Sequence, residues 1–166
     1  MAKEAAQGEV CQAANDNGGG QVVVSGNTAA VERAVEIAKS RGAKRAMMLK
    51  VSAPFHCALM QPAADVMAQA LAQVSIKPPA VPVVANVLAK PISDPAEIVK
   101  ALVAQVTGTV RWRECVVAMA AAGAIAFYEV GSGKVLSGLI RRIAEGASAT
   151  AIGTPDDIAA FKAARG

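Results

Sequence analysis

An α/β fold is predicted by two observations. Short β-branched runs alternate along the chain with stretches whose apolar residues recur every three to four positions. Helix start signals stand ahead of several of those stretches, and glycine or proline stands behind them. Alternation of this kind implies a mainly parallel sheet joined by helical crossovers.

The first run, QVVVS at 21–25, follows the glycine-rich stretch 15–20 and predicts a buried strand entered through a flexible turn. A helix is predicted over 28–41 from Val31, Ala34 or Val35, and Ala38, with Gly42 supplying a left-handed stop. Residues 46–51 read as the next strand. Over 58–74, Leu59, Ala63, Val66 or Met67, Ala70 or Leu71, and Val74 share one helical stripe, and Pro62 restricts the start to its first turn. Pro78 and Pro79 end that region, and a strand is predicted over 81–87. Asp94, Pro95 and Glu97 form the start signal D-P-x-E, with a side-chain cap, a proline at the first helical position and a carboxylate reaching back. That helix runs to about residue 106. A further helix is expected over 113–122, a strand over 125–130 and a helix over 134–145, with Arg141 and Arg142 at the negative end of its dipole. Thr154, Pro155, Asp156 and Asp157 repeat the capping signal for a last helix. A composition shift near 52–54 divides the chain into units 1–52 and 53–166.

Length and composition place the chain among globular proteins: 166 residues, 54% hydrophobic and 18% charged, exclude a disulfide-dependent mini-protein and a disordered segment. The formal charge of +4 favours anionic partners only weakly. Aromatic residues make up 3% and no long basic run occurs, so nucleic acid is not an expected partner. A small phosphorylated ligand or an acidic protein suits the charge equally well. Cys11, Cys57 and Cys115 are odd in number and lack metal-ligand spacing, which predicts reduced thiols, no metal site and a cytoplasmic setting. The N-terminus is polar where an export signal would be apolar, and the apolar run 116–127 falls short of the roughly 20 residues that cross a bilayer, so no membrane partner is expected.

The chemistry-bearing candidate is His56, the one histidine, between a predicted strand and a predicted helix. Such a loop can present a general base on a rigid frame. A histidine that only satisfies neighbouring backbone groups fits the same position, and spacing does not choose between them. Cys57 is adjacent, but consecutive side chains diverge, so a Cys57–His56 dyad is unattractive and a packed thiol is expected. No serine sits on a G-x-S-x-G elbow. Gly131-Ser132-Gly133-Lys134 resembles a phosphate loop, but Val135 stands where serine or threonine is needed, so it reads as a strand-to-helix turn. Asp156 and Asp157 read as caps. Lys44 and Arg45 lead towards the strand before His56, where a basic pair is either an exposed turn or an anion contact.

Taken in order, these segments resemble the C-terminal half of the bacterial malonyl-CoA:acyl-carrier-protein transacylases. The resemblance rests on Asn15-Asp16-Asn17 through Gln21-Val22-Val23-Val24-Ser25-Gly26, then Gly42-Ala43-Lys44-Arg45. It continues with Val51-Ser52-Ala53-Pro54-Phe55-His56-Cys57-Ala58-Leu59-Met60 and Glu129-Val130-Gly131-Ser132-Gly133-Lys134-Val135-Leu136-Ser137-Gly138-Leu139. It implies a hydrolase-like parallel-sheet large domain, here 53–166, and a ferredoxin-like small subdomain, here 1–52. It also implies malonyl transfer from coenzyme A to a carrier protein's phosphopantetheine thiol through a serine ester, with coenzyme A as substrate and no cofactor. His56 matches the family's base. Gln105, in Leu102-Val103-Ala104-Gln105, matches the residue whose backbone carbonyl orients that histidine. Gln21, Lys44 and Arg45 match positions associated with coenzyme A binding. Phe55 resembles the malonyl-selective form.

The family's nucleophile elbow, its malonate-binding arginine and its oxyanion-hole glutamine have no counterpart in the sequence, nor do the first strand and helix of the small subdomain. An incomplete small sheet and no activity without the other half are therefore expected, with that half as a further partner. Ser132 replaces a frequent proline without disturbing the helix start. Two other readings stand beside this one: the acyltransferase of a polyketide synthase, and a non-catalytic module that docks acidic carrier protein through Lys44 and Arg45.

Overall fold

The computed structural model describes residues 1–164 as a mixed α/β fold. Helix α1 (Ala2–Ala6) leads into strand β1 (Cys11–Asp16), which pairs antiparallel with β2 (Val22–Gly26). Helix α2 (Thr28–Ser40) follows at once, and Gly42, at φ +81°, turns the chain out of it. The ladder slips between Ala13 and Asn15, and this bulge leaves the Ala14 carbonyl free to accept the Val110 amide at 2.8 Å.

Residues 46–51 form no strand. They have strand-like composition, but a strand needs a ladder partner and no described segment pairs with them; Met47, Met48, Leu49 and Val51 stay exposed. A 3-10 turn (Ala58–Met60) then starts α3 (Gln61–Leu71), with Pro62 in its first turn as expected. The strand expected over 81–87 shrinks to β3 (Val83–Ala85). Pro82, just before it, has no amide to donate, and Leu88 and Ala89 turn back onto the Ala85 carbonyl to form a hairpin with β4 (Lys90–Ile92).

Helix α4 (Pro95–Thr107) is capped by Asp94, whose carboxylate accepts the Glu97 amide at 3.1 Å. The Glu97 carboxylate does not reach back; it pairs with Lys90 of the hairpin at 2.8 Å. Helix α5 (Trp112–Ala121) stops before Gly123, and β5 (Ala126–Val130), α6 (Val135–Ile143) and β6 (Ser148–Ile152) form a β-α-β unit whose strands are parallel. Thr154 and Asp157 close a full capping box at the start of α7 (Pro155–Ala163).

The expected mainly parallel sheet is thus three separate two-stranded sheets, of which only β5–β6 is parallel. The physical reason is pairing: among the described residues each strand has one strand partner, and β1 meets only an isolated parallel bridge at Val110 on its other edge. Two apolar clusters hold the elements. One joins α1, β1 and α2 around Ala5, Cys11, Ala30 and Ala34, and the other joins α5, α6 and β6 around Val116, Ile140, Ala144 and Ala149.

Candidate functional site

His56 sits on the loop between the irregular 46–51 segment and the turn that starts α3. Its backbone is left-handed, at φ +61°, a conformation that a non-glycine residue holds only when its surroundings enforce it. Those surroundings are named bonds. The Phe55 amide donates to the Ala53 carbonyl at 3.0 Å, and the fully buried Cys57 thiol donates to the Pro54 carbonyl at 3.1 Å. The Ala58 amide donates to Gln12 Oε1, on β1, at 2.6 Å.

The half-buried imidazole reaches α4, which packs on α3. His56 Nδ1 lies 2.9 Å from the backbone carbonyl oxygen of Gln105. A carbonyl can only accept, so Nδ1 carries the hydrogen; in the neutral ring Nε2 then keeps its lone pair, the arrangement a general base requires. The Gln105 amide nitrogen is 3.5 Å from the same Nδ1, but with that hydrogen committed to the carbonyl, two donors would face each other. The amide instead donates to the Gly108 carbonyl at 3.0 Å, and Gln105 Oε1 is buried without a protein partner. Residues 49 apart in sequence therefore meet through one backbone acceptor, which any residue type could supply.

The other expected positions lie elsewhere. Gln21 is exposed, and its backbone closes the β1–β2 turn with Asn17 and Gly18 at 3.0 and 2.9 Å. Lys44 and Arg45 are exposed on the segment after α2, where Arg45 Nε contacts Met47 Sδ at 3.2 Å. Among the described residues none of the three bonds to His56 or Gln105. A groove of about 880 Å³ lies between α2 and Ala46, Met47 and Met48, and neither His56 nor Gln105 lines it.

The loop resembling a phosphate cradle is already occupied by the chain's own carboxylate. Glu129 Oε1 accepts the Leu136 amide at 3.0 Å, and Oε2 accepts the Ser137 amide and hydroxyl, both at 2.7 Å. The start of α6 is therefore filled by a fixed anion, leaving no vacancy for a phosphate. Among the described residues, no group of three or more His, Cys, Asp and Glu side chains could hold a metal ion. Among the described residues, no helix is long and apolar enough to cross a membrane. Gln12 was not legible as part of the site: it stands in a short polar strand and touches the histidine loop across 46 residues of sequence.

The family model described as "Acyl transferase domain" matches residues 2–162, and the chain belongs to that family. Among its curated relatives, the malonyl CoA-acyl carrier protein transacylase of Salmonella typhimurium is 48% identical over 158 residues, covering 95% of this chain and 51% of the relative. The crystal structure of the acyl-carrier-protein-S-malonyltransferase from Bartonella henselae superimposes with a TM-score of 0.93 at 53% identity, over 98% of this chain and 52% of that one. A malonyl-transacylase in complex with its type II PKS acyl-carrier protein matches at TM-score 0.91 and 44% identity, over 98% and 53%. The chain thus spans about half the length of the curated relatives it matches.

Proposed function

We propose that this chain supplies the base-bearing half of a malonyl-transfer site, which moves malonyl from coenzyme A to the phosphopantetheine thiol of an acyl carrier protein in fatty-acid synthesis. The observation that carries this reading is the 2.9 Å contact between His56 Nδ1 and the Gln105 carbonyl. With Nδ1 donating, Nε2 takes the proton of a serine hydroxyl as the serine oxygen attacks the malonyl thioester carbon. The carbon–sulfur bond then breaks, and the imidazolium returns its proton to the departing coenzyme A thiolate. In the second half, Nε2 takes the carrier thiol's proton, the thiolate attacks the malonyl-serine ester, and the proton returns to the serine oxygen. The Gln105 carbonyl holds the tautomer and supports the imidazolium by its dipole. The reaction requires no cofactor beyond its thioester substrate.

The serine, the carboxylate clamp and the oxyanion donors lie outside these 166 residues on this reading, so the working partner is the remaining half of an acyl transferase domain. Surface area supports this. The chain exposes 10537 Å², whereas a folded monomer of 16.8 kDa exposes about 7,700 Å². The excess of about 2,800 Å² is of obligate-interface size. It includes Ile125 and Val130, 77% and 81% exposed beside the open edge of β5. In this reading 53–166 belongs to a hydrolase-like domain and 1–52 to a ferredoxin-like subdomain, with 46–51 pairing as a strand once its neighbour is supplied. Lys44 and Arg45, with Gln21, face the coenzyme A phosphates in a cytoplasmic reaction, and Phe55 favours malonyl over its methylated homologue. The type II PKS complex among the relatives favours a second reading, in which the acyl acceptor is a polyketide carrier protein.

Intact-mass measurement with malonyl-CoA tests the division of labour. The chain by itself gains no malonyl group. Co-expressed with the serine-bearing half of a relative, it transfers malonyl to carrier protein, and His56→Ala lowers that transfer by about 10²–10⁴-fold. A stable malonyl adduct on this chain, or undiminished transfer by His56→Ala, overturns the proposal.

A further inference from the structure

We infer that Gln12 is a positioning residue for His56, holding the histidine loop to the same strand that holds the Gln105 segment. The inference rests on the proposed role of His56 as base and adds a device that keeps its tautomer. Along β1, successive residues grip both sides of the His56–Gln105 contact. Gln12 Oε1 accepts the Ala58 amide at 2.6 Å, two residues beyond His56. The Ala13 carbonyl accepts the Thr109 hydroxyl at 2.6 Å, and the Ala14 carbonyl accepts the Val110 amide at 2.8 Å. The Asp16 amide donates to the Val110 carbonyl at 2.9 Å, and its carboxylate pairs with Arg113 at 2.8 Å. Residues 109 and 110 directly follow Gly108, whose carbonyl receives the Gln105 side chain at 3.0 Å.

One strand is therefore a common anchor for the two segments that must meet. Its grip on the Gln105 side is mostly backbone and redundant, whereas its hydrogen-bonded grip on the histidine side is a single side chain. Apart from the His56–Gln105 contact itself, the loop's other named polar contacts, Phe55 to Ala53 and Cys57 to Pro54, are internal and fix its shape, while buried Cys57 and the packing of α3 on α4 seat it against that helix. Because His56 holds a left-handed backbone, which costs energy in a non-glycine residue, the tether from β1 adds to what keeps Nδ1 close to the carbonyl.

The chain has one histidine, so imidazole ¹⁵N–¹H correlation spectra of the labelled full chain report His56 without ambiguity. At mildly alkaline pH the wild type shows hydrogen on Nδ1 and a bare Nε2. Gln12→Ala shifts the tautomer ratio towards Nε2–H by about two- to tenfold, the range one net hydrogen bond spans. Gln12→Glu keeps an acceptor for Ala58 and restores the wild-type ratio, which a general loss of stability would not do. A wild-type chain with hydrogen on Nε2 overturns the proposed function and this inference together. A wild-type Nδ1–H tautomer left unchanged by Gln12→Ala overturns the role of Gln12 and leaves the base assignment standing. If Gln12→Ala fails to fold, hydrogen exchange of the wild-type Ala58 amide decides: protection supports the tether, and free exchange overturns it.

Discussion

The two apolar clusters are built on opposite principles. Around α1, β1 and α2 the buried residues are small, Ala5, Cys11, Ala30 and Ala34, so backbones approach closely and polar bonds complete the packing. Arg33 Nε donates to the Ala5 carbonyl at 2.8 Å and its Nη2 to the Ala6 carbonyl at 3.1 Å, satisfying the open end of α1. Val10 and Asn27 exchange two bonds of 2.9 Å, amide to side chain and amide to carbonyl. Around α5, α6 and β6 the volume comes from side chains, with Val116 and Ile140 at the centre and Trp112, Met119, Phe127 and Ile143 packed on them. The first region cannot accept added atoms and the second cannot lose them, because close-packed interiors resist both changes.

Gly26→Ala is the most damaging substitution this contrast predicts. A Cβ on Gly26 would stand 2.0 Å from the Val10 carbonyl oxygen and 2.9 Å from Cys11 Cα, all backbone, so the β1–β2 ladder itself has to open. A loss of about 3 kcal/mol or more is expected in urea unfolding; a loss under about 1 kcal/mol would show that the first region yields more readily than its packing implies. In the second region the damaging change is removal. Val116 is fully buried, and Val116→Ala deletes two methyl groups and leaves a cavity, for about 2–3 kcal/mol. Adding volume at both sites, Val116→Ile against Ala30→Val, sharpens the contrast: the first, among flexible side chains, is the better tolerated.

What the sequence made legible follows the same physics. Helix starts at Asp94 and Thr154 are local and fall where they are read, since a cap needs only residues three apart, although Glu97 turns to Lys90 instead of reaching back. The histidine loop is legible because a lone histidine between punctuated segments is conspicuous. Gln105 enters only by resemblance, because its backbone carbonyl does the work and a backbone atom leaves no mark on composition. Strand β1, Cys-Gln-Ala-Ala-Asn-Asp, has little strand propensity and is imposed by its partners, β2 and Val110. Strand β6, Ser-Ala-Thr-Ala-Ile, is imposed by β5 in the same way. Residues 46–51 are the converse: propensity without a partner. Local signals decide where an element can start, and only distant pairing decides whether a strand exists.

The smallest expected effect separates the regions by pH. Glu129 lies below the ordinary glutamate range, first because the Ser137 hydroxyl donates to it and then because the Ser137 and Leu136 amides do. A carboxylate depressed on folding adds stability that is fully present above its unfolded pKa and is lost as pH falls through its folded pKa. The start of α6 should therefore loosen below about pH 4.5, the unperturbed glutamate value, as Glu129 takes a proton. The Val10–Asn27 bonds contain no titrating group, and Arg33 holds the Ala5 and Ala6 carbonyls whatever the charge on Glu9, its other partner at 2.6 Å. Hydrogen-exchange protection of Leu136 and Ser137 is thus expected to drop with acid while that of Val10 stays level, and Glu129→Gln should abolish the difference in slope. Parallel loss at Val10 and Ser137 would instead mean that the two regions open as one cooperative unit, with the Asp16–Arg113 pair between β1 and α5 as their coupling. Asp16 is itself held below the usual aspartate range, chiefly by that arginine, so the coupling would weaken in the same acid range. Arg113→Ala would then restore independent behaviour, which distinguishes a shared core from a single ionic link.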